Sequence, residues 1–523
     1  MTALIIVTLI VGVAAGALAV LRWLRVAQRE HYIAGWVSRI GALWVVRRPV
    51  NAIVASLAVL LVAAAVLLAL TGAALSSGIT SILAVVAAAF LPVGLGVRGR
   101  STPLNWTQRA RRLAAAYAVA LLAVGALLWW LVGLPGVALT VLLAPVIMDG
   151  VLVPMNALEK RLSHKYLVSA RKRLGQVRPT VVAITGSYGK TSTKGYVAHV
   201  LAGAFSVVAS PASFNNLMGL SRAVNDRVVP GTEVFVAEMG VYGPGEIREL
   251  SESFPPDVAA ITTIGEAHLA RMKTKETIAR AKGEITERAK TVVLPVDEPE
   301  LRALVERCRT EGKRVVTVST VPGTDADVVV DAAASVVTMR TAEGATTVPV
   351  EIPGTGHAVN IAVTVGIALA LDVDVDAAAI APRLTALPGS QHRAEVQKAP
   401  NGTLIIDDTY NSNPVGSERA LEGAAALAGE RGGQLVVVTP GMVELGSVQF
   451  ERNRAFAASV TARGGRLLIV GRTNRAALLA GSAGAELPSL VFDRREDAVQ
   501  VALDQAADRG VILYENDLPD HYP

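Results

Sequence analysis

A chain of 523 residues is long enough for two to four domains. Its hydrophobic fraction of 52% and mean hydropathy of +0.44 exclude a protein that is soluble throughout, and its single cysteine excludes an internal disulfide framework. The formal net charge of +6 does not imply a nucleic-acid partner, because much of the basic excess is arginine flanking apolar segments.

The apolar excess lies in the first third. Runs at 3–21, 52–71, 74–96, 113–132 and 135–154 are long and nearly uncharged, and about 20 apolar residues span a bilayer as a helix. Roughly five transmembrane helices are therefore expected within residues 1–155. Pro92 and several glycines interrupt the third. The first is read as a span, since no basic stretch precedes it and no small-residue cleavage site follows it. Basic residues gather in alternate connections: Arg22 to Arg48, Arg98 to Arg112, and Lys160 to Arg173. The positive-inside rule makes these cytoplasmic, places the N-terminus outside, and puts everything after about residue 155 inside, where ATP is. Residues 27–48, with Tyr32, Trp36 and Trp44 among arginines, read equally as an interfacial segment or as a loop. Asp149 sits near the end of the fifth run, too close to the interface to be assigned a function.

Beyond residue 175 short apolar runs alternate with helical patterns. The runs fall at 181–185, 233–238, 258–263, 291–295, 403–407, 435–439, 467–471, 489–492 and 511–514. Such alternation predicts parallel α/β sheets. Residues 321–352, rich in Val, Thr and Asp, predict inserted strands, and 387–396 predicts a linker followed by an edge strand. A boundary near 390 separates a central domain, 175–388, from a C-terminal domain, 390–523. Cys308 reads as an inert helix residue.

The stretch "VVAITGSYGKTSTKG", 181–195, places a phosphate loop between a strand and a helix. Backbone N–H groups of Gly186, Ser187, Tyr188, Gly189 and Ser192 would surround phosphates, Lys190 would meet the β/γ oxygens, and Thr191 would offer its hydroxyl to Mg²⁺. The usual pattern has a glycine where this chain has Ile184. Glu238 ends the run "EVFVAEMG", and a carboxylate there can reach a metal beside the loop. His268 follows a third strand at the same sheet edge and is a candidate metal ligand.

In this order the segments resemble the Mur ligase family, within it the branch that adds D-alanyl-D-alanine to UDP-N-acetylmuramoyl-tripeptide. "ITGSYGKTS" resembles the family loop, which does not require the first glycine. "PASFNNLMG" resembles its Asn-Asn segment (Asn215, Asn216), and "AEMG" and "IGEAHL" its metal-binding segments. "AKGEI" resembles the site of a carbamylated lysine, here Lys282, and "GTGHAVNIAVTVGIAL" the segment that places Asn360 at adenine. "IDDTYNSNP" and "GMVELG" resemble C-terminal segments of the same branch. The resemblance implies a central P-loop ATPase domain and a Rossmann-like C-terminal domain. It implies an ATP-dependent, ADP-forming ligase that joins a carboxylate to an amine through an acyl phosphate, with ATP and Mg²⁺ as cofactors. It further implies that Arg393 and Asp408 contact the nucleotide and that Asp407, Tyr410, Asn411 and Asn413 shape the domain cleft. Carbamylated Lys282 would join Thr191, Glu238 and His268 at metal.

The family branch begins with a soluble UDP-binding domain, where this chain has apolar helices, and the usual C-terminal Lys-Gly-Ser is replaced by "LYENDLPDHYP". The carboxylate acceptor is therefore expected to be UDP-linked or lipid-linked, and the amine an amino acid or a dipeptide. Three rival readings remain. An ATP-driven transporter would need an L-S-G-G-Q-type signature, which is not present. A non-catalytic nucleotide sensor is disfavoured by the intact Lys190, Glu238, His268 and Lys282. A membrane-bound ligase resembling poly-γ-glutamate synthase is the alternative enzyme.

Overall fold

A computed structural model of the chain describes residues 2–98, 103–341, 344–351, 358–373, 377–388, 395–409, 413–518 and 521–522. Two compact units result, Met1–Leu162 with Leu518–Pro523, and Ser163–Asp517.

The first unit is helical: α1 (Thr2–Arg29), α2 (Trp36–Arg47), α3 (Pro49–Leu70), α4 (Ala74–Ala89), α5 (Gln108–Val132), α6 (Pro135–Leu142) and the first part of α7 (Ala144–Val177). Pro49 starts α3 at a position whose N–H needs no partner. Thr107 caps α5 by accepting from the N–H of Ala110. Helices α1, α3 and α5 are long and apolar enough to cross a membrane, and α6 with α7, bent by 62°, makes a fourth if counted as one span. The expected third span shortens to the 16 residues of α4, because Pro92 cannot continue a helix and the chain turns at Gly94. Residues 27–48 are mostly helical rather than loop. The Asp149 carboxylate accepts from the N–H groups of Val37 (3.2 Å) and Ser38 (2.9 Å), anchoring the start of α2 where an anion suits the helix dipole. His521 also belongs to this unit, with Nε2 at 2.9 Å from Glu30 Oε1 and its carbonyl accepting from Trp44 Nε1 at 2.7 Å.

The second unit holds two sheets. The larger contains β1 (Thr180–Thr185), β2 (Val207–Ala209), β3 (Val234–Glu238), β4 (Val258–Ile261), β5 (Thr291–Pro295), β6 (Arg314–Ser319), β7 (Val328–Asp331), β8 (Val336–Thr341) and β9 (Gly344–Pro349). Their order is β2-β3-β1-β4-β5-β6-β7-β8-β9, parallel through β7 and antiparallel beyond. Strand β1 is buried on both faces, as parallel strands covered by helices must be. Val181 and Ala183 face one apolar cluster with Phe235, and Val182 and Ile184 face the other with Val236. The register aligns Ile184 with Glu238 on one side and Ala260 on the other. The ends of three strands therefore meet at one sheet edge, which is where the phosphate loop starts. Strands β2 and β6 lie outside the sequence expectations.

The smaller sheet contains β10 (Glu395–Lys398), β11 (Leu404–Asp408), β12 (Leu435–Thr439), β13 (Arg466–Val470), β14 (Leu490–Phe492) and β15 (Val511–Glu515), in the order β10-β11-β15-β12-β13-β14. Only β10, the expected edge strand, is antiparallel to its neighbour.

Candidate active site

The loop after β1 is shaped by close approaches. Gly186 has φ +153° and Gly189 φ +78°; a Cβ at the first would strike the Thr262 hydroxyl and at the second the Asn360 carboxamide. Only glycine fits either place. The turn begins at Gly186, and Ile184 is still an extended strand residue paired on both sides. No glycine is needed at 184 for that reason. The segment after β4 braces the loop. Ser187 N–H donates to Thr263 O at 2.8 Å, Gly265 N–H donates to Ser187 Oγ at 2.8 Å, and the Thr262 hydroxyl donates to Tyr188 O. The helix Lys190–Leu201 starts directly at Gly189, so its first N–H groups line the loop. Ser192 is buried in its first turn.

A cluster of lysines surrounds one carboxylate here. Glu238 is 3% exposed and accepts from Thr191 Oγ1 at 3.0 Å, Lys194 Nζ at 2.9 Å and Asn215 Nδ2 at 3.4 Å. Burial would raise its pKa, but the charges of Lys194 and Lys190, with the hydrogen bonds from Lys194 and Thr191, hold it below the ordinary value. Lys190 Nζ donates to Gly186 O at 2.8 Å, and Lys282 Nζ donates to the same oxygen at 2.9 Å. Lys282 is 2% exposed; burial, and then the charge of Lys190, pushes its pKa well below the ordinary lysine value. It is a buried amine held toward its neutral form, not a solvated helix lysine. Lys194 was not anticipated from sequence, although its spacing of four from Lys190 places both on one helix face.

His268 takes a left-handed backbone, φ +60°, and its Nδ1 lies 2.7 Å from Glu444 Oε2. Arg271 donates to the other oxygen of Glu444 at 3.0 Å. Burial would raise the Glu444 carboxyl; the hydrogen bond and charge of His268, together with Arg271, instead pull it down to about 2. Arg452 grips Glu266 through two hydrogen bonds, 2.9 and 2.6 Å. These two pairs join the segment after β4 to the C-terminal domain. Sequence reading singled out the segment 441–446 but not the role of Glu444.

At the edge of the smaller sheet Asp407 Oδ1 accepts from Thr409 N–H at 3.1 Å and from its hydroxyl at 2.6 Å. Asp408 stands beside Glu515 in register. Glu515 is fully buried and accepts from the Ser417 hydroxyl at 2.7 Å and from the Thr439 hydroxyl. Burial, with a smaller contribution from Asp408, pushes its carboxyl up to about 7 against those two hydrogen bonds. Two predicted cleft residues are helix caps: Asn216 Oδ1 accepts from Gly219 N–H at 2.9 Å, and Asn413 Oδ1 from Gly416 N–H at 2.8 Å. The buried Asn360 lies against Gly189, at the phosphate loop, with no hydrogen-bond partner for Nδ2. Arg393, Tyr410 and Asn411 lie outside the described residues.

The donors suit the groups the site is expected to hold. Two glycines whose Cβ would collide, a helix start and Lys190 form a cradle for phosphates. Among the described residues no three His, Cys, Asp or Glu side chains stand together as a metal site. His268 is therefore tied to Glu444 rather than grouped with other acids. Thr191 and ionised Glu238 offer hard oxygen atoms, a small set that suits Mg²⁺, an ion that keeps waters and phosphate oxygens in its shell.

Comparison with known proteins agrees with this geometry. The Mur ligase middle domain matches residues 184–368, and the Mur ligase glutamate ligase domain matches 392–514. The UDP-N-acetylmuramoyl-tripeptide–D-alanyl-D-alanine ligase of Mycobacterium bovis is 31% identical over 393 residues, covering 72% of this chain and 77% of that protein. The ligase of the same name from Mycobacterium leprae is 31% identical over 344 residues, 59% of this chain, and the match spans only 65% of that relative's length. Among solved structures, a MurF ligase from Thermotoga maritima in complex with ADP superposes with a TM-score of 0.57 at 26% identity, covering 68% of this chain and 80% of that one. The helices before residue 163 lie outside both family matches. With the phosphate loop, its lysines and both sheets accounted for by these matches, the chain belongs to the Mur ligase family.

Proposed function

We propose that the protein is an ATP-dependent, ADP-forming carboxylate–amine ligase that acts through an acyl phosphate in making a cell-wall peptidoglycan precursor. The observation that carries this reading is the gathering of Lys190, Lys194 and Lys282 at one phosphate loop beside a single ionised carboxylate. A substrate carboxylate and the γ-phosphate are both anions, and fixed cations must bring them together. The carboxylate oxygen attacks the γ-phosphorus and ADP leaves. An amine then attacks the acyl carbon and phosphate is expelled, leaving an amide.

In this scheme Lys190 holds the β/γ oxygens, and Thr191 and Glu238 hold Mg²⁺, which screens the phosphate charge. The neutral amine of Lys282 is suited to adding carbon dioxide, and its carbamate would serve with His268 at a second metal. Asn360, Arg393 and Asp408 contact the nucleotide. The family resemblance assigns Asn215, Asn216, Asp407, Tyr410, Asn411 and Asn413 to the substrate cleft, Asn216 and Asn413 also capping helices there. The names of the relatives support a UDP-linked muramoyl tripeptide as carboxylate and D-alanyl-D-alanine as amine; a lipid-linked acceptor and an amino acid are the alternatives.

The same reading places the enzyme in the cell membrane as a multi-pass protein. Helix α4, at ~24 Å for its 16 residues, counts as a short fifth span returning from α3. The arginine-rich connections then face the cytoplasm and the N-terminus lies outside. Separating nucleotide products after incubation with a muramoyl tripeptide and D-alanyl-D-alanine tests the reaction. ADP and phosphate are expected, and release of AMP and pyrophosphate overturns it.

A further inference from the structure

We infer that a cavity inside the helical unit is a binding site for a phosphate-bearing lipid. The cavity, open on one side, has a volume of about 220 Å³ and is walled mainly by small and apolar side chains of α1, α2, α3, α4, α6 and the start of α7, among them Ala15, Ala19, Ala42, Ala55, Ala88 and Leu142. Its lining carries one charged side chain, Arg22. Arg22 as a residue is 9% exposed. Its Nη1 donates to Ala89 O at 3.1 Å and to Leu91 O, while its Nε has no partner. Among the described residues no carboxylate pairs with it. The described acids of the unit are engaged elsewhere: Asp149 on the backbone of α2, Glu30 on His521, and Glu159 on Arg112. One turn along α1, Arg25 is also buried and donates to Gly96 O at 2.7 Å, adding positive charge on the same stretch.

A structural role accounts for part of this. Arg22 meets carbonyls at the end of α4, where a cation suits the helix dipole. Those carbonyls occupy one nitrogen and supply no full negative charge. A buried cation among apolar helices marks a functional site when no partner is built in. The missing partner is an anion from outside the chain. A planar guanidinium matches phosphate oxygens in a paired geometry. The alanine walls exclude a fully hydrated ion but accept alkyl or isoprenyl carbon, so the ligand carries both a phosphate and a hydrocarbon tail.

The test titrates the full chain in phosphatidylcholine nanodiscs with dodecyl phosphate, dodecanol and inorganic phosphate, by calorimetry. Saturable binding of dodecyl phosphate at least tenfold tighter than either fragment is expected, and Arg22→Gln should weaken it tenfold or more. Should Arg22→Gln fail to fold, Ala42→Leu decides the matter. Ala42 lines the cavity from an exposed position, so leucine there narrows the space without burying new bulk in the core. Binding within threefold of the parent in the folded variant, or inorganic phosphate binding as tightly as dodecyl phosphate, overturns the proposal. The readout involves no turnover, so its failure leaves the ligase reading untouched, and failure of the ligase reading leaves this site untouched.

Discussion

The two sheets present the same kind of edge, the C-terminal ends of parallel strands, yet arm it with opposite charge. At the larger sheet three lysines gather at the phosphate loop, Lys190 and Lys282 on Gly186 O and Lys194 on the ionised carboxylate of Glu238. At the smaller sheet the same edge carries Asp407, Asp408 and Glu515, with Asp407 bonded to Thr409 and Glu515 to the Ser417 and Thr439 hydroxyls. Parallel strand ends are a generic place for ligands, since loops and helix starts meet there. What is handled at each edge follows from the side chains placed on it. A cationic edge manages phosphate and carboxylate anions; an edge of carboxyls and hydroxyls suits hydroxyl and amine donors. The two edges thus carry different charge on a shared geometry.

The comparison breaks most severely if the cationic edge is dismantled. Lys190→Ala is expected to lower kcat by at least about 10³-fold, near the upper end for removing one fixed donor from a charge-stabilising site. Circular dichroism should remain unchanged, because the Lys190 ammonium donates to the loop carbonyls of Gly186 and Ser187 rather than packing in an apolar core. A variant retaining a tenth of parent activity would remove phosphate binding from this edge. Lys282→Ala should cost about 10²-fold, and millimolar acetate or formate should restore part of the activity. Rescue by short carboxylates separates a carbamate from a plain ammonium, since an ammonium is not replaced by an anion. Full activity in Lys282→Ala would make the buried amine structural.

Much of the cationic edge was legible in sequence because strand, loop and helix follow one another within fifteen residues. Gly186, Gly189, Lys190 and Thr191 are local signals, and Glu238 needed only the end of the next apolar run. The residues that escaped depend on distant contacts. Lys194 acts through Glu238, 44 residues away, and Glu444 meets His268 across 176 residues. Helical spacing from Lys190 and the segment 441–446 mark where they lie, but not which side chain each one meets. Strand β2 has three residues, too few to show a period. The capping role of Asn216 and Asn413 was not read from sequence, because capping and ligand binding draw on the same carboxamide and only the N–H three residues ahead reveals the cap. The third apolar run reads as a span by composition, but Pro92, visible in sequence as an interruption, cannot continue a helix, and α4 stops at Ala89.

The acidic edge is expected to reveal itself through pH. The folded carboxyl of Glu515 sits at about 7, above the ordinary 4.5. A raised carboxyl binds its proton more tightly in the folded chain. Its contribution is therefore fully present below about pH 4.5 and lost as pH rises through about 7. Across that window it amounts to about 3 kcal/mol. Hydrogen exchange of the β12 and β15 amides should show the C-terminal sheet opening more readily at pH 8 than at pH 5. Glu515→Gln keeps a carboxamide oxygen for Ser417 and Thr439 and should flatten that difference. A pH dependence unchanged in the variant would mean that this edge is not governed by a buried carboxyl.

The smallest effect sharpens the comparison by using a feature the two edges share. Each leads into a helix capped by an asparagine: Asn216 before Leu217–Arg227, and Asn413 before Pro414–Arg431. An asparagine cap replaced by alanine costs about 1 kcal/mol, because one N–H of the first turn loses its acceptor. If capping is the whole contribution, Asn216→Ala and Asn413→Ala should lose similar stability and keep kcat within about threefold. Asn215→Ala provides the contrast. It removes a donor to Glu238 rather than a cap, so it should spare stability and lower kcat by about tenfold. Stability is read from urea unfolding followed by circular dichroism, and kcat from ADP release under saturating ATP. A large kcat loss in Asn216→Ala with unchanged stability would move that carboxamide from the frame of the cleft onto the substrate. The cationic edge would then bind through both members of the Asn-Asn pair, while the acidic edge kept its asparagine as a cap.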